Sequence, residues 1–282
     1  MNSGIKKWIP ASWLKSYKKY KRNKIMLHDS RETHQYAENL KGRKTGKIKI
    51  AFIVYMPEVW NSLKSIHDFA QLDEDIETLI VAQPWISKLG VKKSTYINDA
   101  YDFLVREYGD VVNAYDKEKK EWFDLENYEP DYVFYTRPYN AEYYEGYKPE
   151  NVRKYARVSW IPYGYNMVDN HIVESGYNMD FLRYVTNIFA DSQTMEKWIR
   201  NRYKKEYEKN YFNLKYLGFP RFDLSAKDDT KVGRNGITIL WTPRWTSEHT
   251  GIMKSNFLRY YKDFFNLAQE DHNYNIIIRP HP

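Results

Sequence analysis

The chain has 282 residues, 42% of them hydrophobic, enough for one large domain or two ordinary ones. It contains no cysteine, which excludes disulfides and thiolate metal sites, and no apolar run approaches the ~20 residues a membrane-spanning helix needs. Forty-four Lys and Arg against 37 Asp and Glu give a net charge of +7.

Part of that excess lies at the start. Residues 1–28 hold no acidic side chain but carry Lys6, Lys7, Lys15, Lys18, Lys19, Lys21, Arg22 and Lys24 among Trp8, Trp13, Leu14, Tyr17 and Tyr20. Pro10 is suited to a first helical turn. Such a helix suits an anionic membrane interface, a solvated arm, or a first helix packed on the body. A nucleic-acid arm is a further reading, but no known RNA- or DNA-binding module accompanies it.

A polar connector (39–47) leads into the apolar run IKIAFIVYM (48–56), read as a buried strand. A helix is predicted over 59–72 and a strand over 77–85, the strand-helix-strand unit of a parallel sheet. Next come a helix over 94–109, strands within 130–139 and 154–165, a strand ending near 192, and a helix capped by Ser192. Residues 214–236 turn polar and glycine-containing and are read as a crossover. A second strand-helix-strand unit follows, with a strand at 237–245, a helix at 255–271 and a last strand in NYNIIIRPHP. Two strands and one helix are less than half of such a domain, so either the natural chain continues past Pro282, the favoured expectation because an uncovered central-type strand would be a sticky edge, or the missing strands come from another chain.

Ligands of open parallel sheets gather at the carboxyl ends of the strands. Four such ends carry polar groups: Arg137; Tyr163, Gly164 and Tyr165; Thr242 and Arg244; Arg279 and His281. Guanidinium forks at neighbouring strand ends would hold a phosphate bidentately, and His281 would donate to it or move a proton. There is no P-loop, GxGxxG, HExxH or GxSxG motif, and the histidines lack metal-ligand spacing, so neither a cofactor nor a metal is expected.

In order and spacing, AFIVYMPEVWNSLKSIHDF, LGFPRFD (217–223), ILWTPRWT (239–246) and IIIRPHP (276–282) resemble the CDP-glycerol glycerophosphotransferases, which include teichoic-acid polymerases and primases. The resemblance implies an α/β, GT-B-like architecture: a basic arm and connector (1–47), an N-terminal Rossmann-like acceptor-side domain (48–213), the crossover (214–236), and the start of a truncated Rossmann-like donor-binding domain (237–282). It implies glycerol phosphate transfer from a CDP-activated donor to a teichoic-acid-like or capsular polymer, or a lipid-linked acceptor. The location would be cytoplasmic, at the inner face of the membrane, with residues 5–24 on its anionic surface and no nucleic-acid partner. Thr242, Arg244, Arg279 and His281 would bind the donor phosphates. Arg137, Tyr163, Gly164 and Tyr165 would line the acceptor side.

The family histidine proposed as general base has no counterpart, because Trp160 is followed by Ile161, Pro162, Tyr163 and Gly164. Tyr163 or His171 would stand in, with His281 as the other catalytic residue, although a phenol of pKa near 10 is a poor base at neutral pH. The alternatives are a GT-B glycosyltransferase using a nucleotide sugar, and a non-catalytic membrane-associated remnant.

Overall fold

The run at residue 48 forms β1 (Ile48–Val54), and its residues from Ala51 onward are fully buried. Alternate side chains enter opposite faces of the sheet: Ala51 and Ile53 join one core cluster, Phe52 and Val54 the other. Burial on both faces marks a central strand of a parallel sheet. The structure, a computed structural model, describes residues 10–42, 46–84, 98–165, 179–225, 236–243, 255–270 and 273–279. The chain divides into two compact units, Met1–Lys227 and Asp228–Pro282.

In the first unit, β1 is followed by the short helices α2 (Pro57–Trp60) and α3 (Lys64–Ala70), then β2 (Ile76–Ala82), helix α4 (Asp99–Tyr108) and β3 (Val112–Asn113). An antiparallel hairpin, β4 (Tyr115–Asp116) and β5 (Glu121–Trp122), interrupts the series. After it come β6 (Tyr132–Tyr135), β7 (Arg157–Trp160), β8 (Asn187–Ala190) and β9 (Asn213–Tyr216). Seven strands pair in parallel in the order β3-β2-β1-β6-β7-β8-β9. The expected α/β, Rossmann-like class is therefore what this unit adopts. Residues 214–216, read as the start of the crossover, are the outer strand of this sheet, paired with β8.

Side-chain caps explain where two helices start. Asn98 accepts from the Tyr101 amide at 3.2 Å and donates to the Ala82 carbonyl at 2.9 Å, tying α4 to the end of β2. Ser192 accepts from the Met195 amide at 3.2 Å and so opens the helix Gln193–Arg202, as its sequence predicts.

The basic N-terminal segment belongs to a 29-residue helix, α1 (Ala11–Asn39). Its C-terminal half is latched to the sheet unit through buried Met26, Ser30, Thr33 and Ala37. Arg153 donates to the Asp29 carbonyl at 2.8 Å and to Thr33 Oγ1 at 2.9 Å, while Thr33 donates to the Arg183 carbonyl at 3.0 Å. Trp13, Tyr17 and Tyr20, on the N-terminal half, are exposed.

His67 on α3 is packed edge-on against Phe52, Trp60 and Tyr108, with Asp68 at 3.1 Å and Thr78 at 3.4 Å. Burial holds its pKa below the ordinary value, against the pull of Asp68. Its unfolded form, with a pKa of about 6.5, therefore binds a proton first as pH falls. Stability contributed by neutral His67 is present above about pH 6.5 and declines below it. Urea denaturation across this range is expected to show a falling midpoint, and His67→Phe to flatten the slope.

In the second unit, β10 (Ile237–Trp241) and β11 (Tyr274–Ile278) pair in parallel, connected through the helix Phe257–Glu270. Trp241 stacks on Phe257 and Phe264, with ring centroids 5.4 and 4.5 Å away. Gly236 has φ +97°, and a Cβ there would lie 2.2 Å from the Asn273 carbonyl oxygen, so only glycine admits the Ile237 amide to that carbonyl.

Candidate functional site

The strand order of the first unit reverses at β1: the chain first builds outward through β2 and β3, then returns to place β6 on the other side of β1. The carboxyl ends of β1 and β6 are thus the topological switch point, the place where open parallel sheets leave a crevice for ligands. Tyr55 and Met56 follow β1 there, and Thr136 and Arg137 follow β6.

Arg137 donates from Nε to Glu142 Oε2 and from Nη2 to Glu142 Oε1, both at 3.1 Å. This fork is the strong, orienting geometry of a guanidinium with a carboxylate. Both side chains are 19% exposed, so the pair is partly open to solvent rather than sealed in the core. The Tyr55 hydroxyl also donates to Glu142 Oε2. Three phenol rings surround the guanidinium carbon: Tyr163 at 4.8 Å, Tyr139 at 5.1 Å and Tyr55 at 5.7 Å.

Several backbone ties hold this arrangement. The Tyr143 hydroxyl donates to the Arg137 carbonyl at 2.8 Å, and Trp160 Nε1 donates to the Thr136 carbonyl at 2.9 Å. Ser62 Oγ donates to the Tyr163 carbonyl at 3.2 Å. Gln83, fully buried at the end of β2, donates to the Glu142 carbonyl at 2.8 Å and accepts from the Tyr144 amide at 3.3 Å. A loop with no regular strand or α-helix is thereby fixed where Glu142 meets Arg137.

Burial pushes the Tyr139 phenol up to about 12, with neighbouring Tyr163 adding to the effect. Burial and then Tyr143 raise Tyr55 further, and burial followed by the Glu142 charge raises Tyr143. These three hydroxyls stay protonated at neutral pH and act as donors, not bases. For Arg137, burial opposes the charge, but Tyr55 and Glu142 outweigh it and the pKa rises.

Of the sequence-predicted acceptor-side residues, Arg137 and Tyr163 meet. Gly164 follows in the bend with open space about its Cα, and Tyr165 turns to Phe222 and Phe219, with centroids 5.3 and 5.9 Å away. In the second unit, Thr242 and Arg279 follow adjacent strand ends, and the Arg279 amide donates to the Trp241 carbonyl at 2.9 Å. Arg244, His281 and His171 lie outside the described residues. Sequence reasoning missed Tyr55, Gln83, Tyr139 and Glu142. Tyr55 and Gln83 carry the same strand-end signal as Arg137, whereas Glu142 carries none.

His28, Asp29 and Glu32 on α1 bring potential metal ligands together. Both carboxylates are engaged by arginines, Asp29 with Arg183 at 3.3 Å and Glu32 with Arg153 at 3.2 Å, which opposes cation binding.

No protein-family model matches the sequence, and no curated protein matches it. Solved structures do. The S. aureus MnaA–UDP co-structure is 12% identical with a TM-score of 0.50. A Listeria monocytogenes protein assigned as a UDP-N-acetylglucosamine 2-epimerase is 8% identical with a TM-score of 0.51. A further UDP-N-acetylglucosamine 2-epimerase is 10% identical with a TM-score of 0.50. Each alignment covers 84% of this chain, which spans 63% of the length of each neighbour. At such identities the likeness establishes the fold, GT-B and Rossmann-like.

The comparison corrects the resemblance to CDP-glycerol glycerophosphotransferases. The neighbours are named for UDP and UDP-sugars, so the glycerophosphotransferase activity, the CDP-activated donor and the teichoic-acid product are not upheld. Two of the matched segments, ILWTPRWT and IIIRPHP, run through strand ends, where nucleotide-binding α/β domains place similar turn and cationic residues whatever the ligand. The anionic membrane surface assigned to residues 5–24 is withdrawn with that reading, because it rested on the glycerophosphotransferase resemblance; residues 5–9 lie outside the described residues. Among the described residues no helix is long and apolar enough to cross a membrane.

Proposed function

We propose that this chain is a GT-B-type enzyme that uses a nucleotide sugar, with the crevice above β1 and β6 as the seat of a sugar ring. The observation that carries the reading is the Arg137–Glu142 pair at the switch point, ringed by Tyr55, Tyr139 and Tyr163. Because the two charges cancel, the site offers little net attraction to a bare phosphate. It offers instead adjoining donors and acceptors suited to vicinal hydroxyls, and ring faces suited to the C–H side of a pyranose. Among the described residues Arg137 Nη1 has only the weakly accepting Met56 Sδ at 3.8 Å, and so retains donor capacity for a ligand.

In this reading Tyr163 is a platform for the ring. Within the second unit, Thr242 and Arg279 at adjacent strand ends, with Arg244 and His281 as read from the sequence, are proposed to bind phosphate, the guanidinium forks neutralising its charge.

Transfer of the glycosyl group to an acceptor is the reaction assigned; epimerisation is the second reading, favoured by the names of the structural neighbours. NMR of the chain with UDP-glucose and UDP-N-acetylglucosamine in D2O separates the two. Release of UDP only when a sugar acceptor is supplied supports transfer. Deuterium entering C2 without UDP release supports epimerisation. Binding without either points to a non-catalytic sugar-binding protein, and failure of both nucleotides to bind rejects the proposal.

A further inference from the structure

The segment between β3 and β6 leaves the main sheet to build the β4–β5 hairpin, whose Trp122 lies flat on Tyr144, with ring centroids 3.9 Å and planes 4° apart. Tyr115 packs on Trp122 at 5.1 Å. Gly146 fixes the Tyr144 ring from another side: a Cβ there would lie 2.9 Å from the ring, so the backbone approaches closely only because the residue is glycine. Beside this aromatic wall is a hollow of about 410 Å³, lined also by Asp124, Asn151, Lys154 and Tyr155. That volume lies in the range of small-molecule sites.

The polar lining is mixed and partly unspent. Lys154 Nζ donates to Asn151 Oδ1 at 3.1 Å and keeps further donors. Asp124 Oδ1 accepts the Glu126 and Asn127 amides at 3.0 and 3.2 Å, which orients the carboxylate and leaves Oδ2 available. The Tyr155 hydroxyl has no hydrogen-bond partner among the described residues, and burial, reinforced by Glu126 and Asp124, raises its pKa and keeps it a donor. An aromatic wall next to a phenol, an ammonium group and a carboxylate matches a ring that is apolar on one side and hydroxylated at its edge.

We propose that this hollow is a second ligand site, distinct from the Arg137 crevice, that binds a neutral saccharide. It needs no turnover and goes beyond the nucleotide-sugar reading. A sugar chain is the ligand class, because a hollow of this size admits one or two rings while its edge is open.

The test is a titration of the full ¹⁵N-labelled chain with maltose, cellobiose and N,N′-diacetylchitobiose, each at millimolar concentration, followed by amide and indole shifts. At least one disaccharide is expected to shift the Trp122 indole resonance. Its binding should weaken about tenfold in both Tyr155→Phe and Lys154→Ala, and remain unchanged in Arg137→Ala. These edge substitutions spare the aromatic stack, and retained amide dispersion verifies the fold. The proposal is overturned if none of the three sugars binds. It is equally overturned if binding survives both pocket substitutions, or is lost in Arg137→Ala. Because nucleotide-sugar binding is read separately in the crevice, either site can fail without the other.

Discussion

Arg137→Ala is expected to weaken nucleotide-sugar binding by about 30- to 150-fold while leaving the chain folded, on the basis of ~2–3 kcal/mol for a charge-assisted bidentate contact. The substitution removes three things together: the fork that orients Glu142, the donors offered to the ligand, and the cation that the three tyrosines surround. Glu142 would keep the Tyr55 hydroxyl as its remaining side-chain donor among the described residues. Arg137→Lys retains the charge but cannot span both carboxylate oxygens, so it should fall between wild type and alanine. Calorimetric titration with UDP-N-acetylglucosamine, alongside circular dichroism, makes the measurement. Affinity unchanged in a folded Arg137→Ala protein would remove the crevice as the sugar seat.

That Arg137 was legible from sequence while its partner was not has a physical cause. Arg137 directly follows a buried run, and strand ends can be found from the hydrophobic pattern. Glu142 lies in a tyrosine-rich stretch without periodicity, and its placement depends on Gln83 at the end of a different strand. No local signal encodes such a tie. The same contrast runs through the fold. β1 and β2 are seven residues each and read as apolar blocks, whereas β3, β4 and β5 are two residues each and exist only because their neighbours pair with them. Leu214 looked like the opening of a crossover because the polar tail after it dominates the stretch. It is nonetheless buried in the sheet beside β8. The assignment of donor failed for a different reason. Strand-end Pro, Arg and His report the architecture of the sheet more faithfully than the nucleotide it binds.

Trp160 connects the two levels, and its substitution is expected to have the largest effect on stability. The side chain is 2% exposed at the end of β7, and its indole N–H donates to the carbonyl of buried Thr136 at 2.9 Å. Trp160→Ala should cost about 4 kcal/mol, the sum of lost apolar burial and an incompletely collapsed cavity. Trp160→Phe separates the contributions, since it keeps most of the volume but leaves the Thr136 carbonyl without this donor, at about 1–2 kcal/mol. Thr136 immediately precedes Arg137, whose own carbonyl accepts from a side chain across the loop, the Tyr143 hydroxyl at 2.8 Å. Releasing one of two adjacent carbonyls lets the guanidinium fork drift from Glu142, so the phenylalanine variant should lose ligand affinity beyond what its stability loss predicts. Urea denaturation gives the first quantity and ligand titration under fully folding conditions the second. An alanine variant that unfolds at the wild-type midpoint would contradict the packing assigned to Trp160. A phenylalanine variant with full affinity would show that the Thr136 tie does not position Arg137.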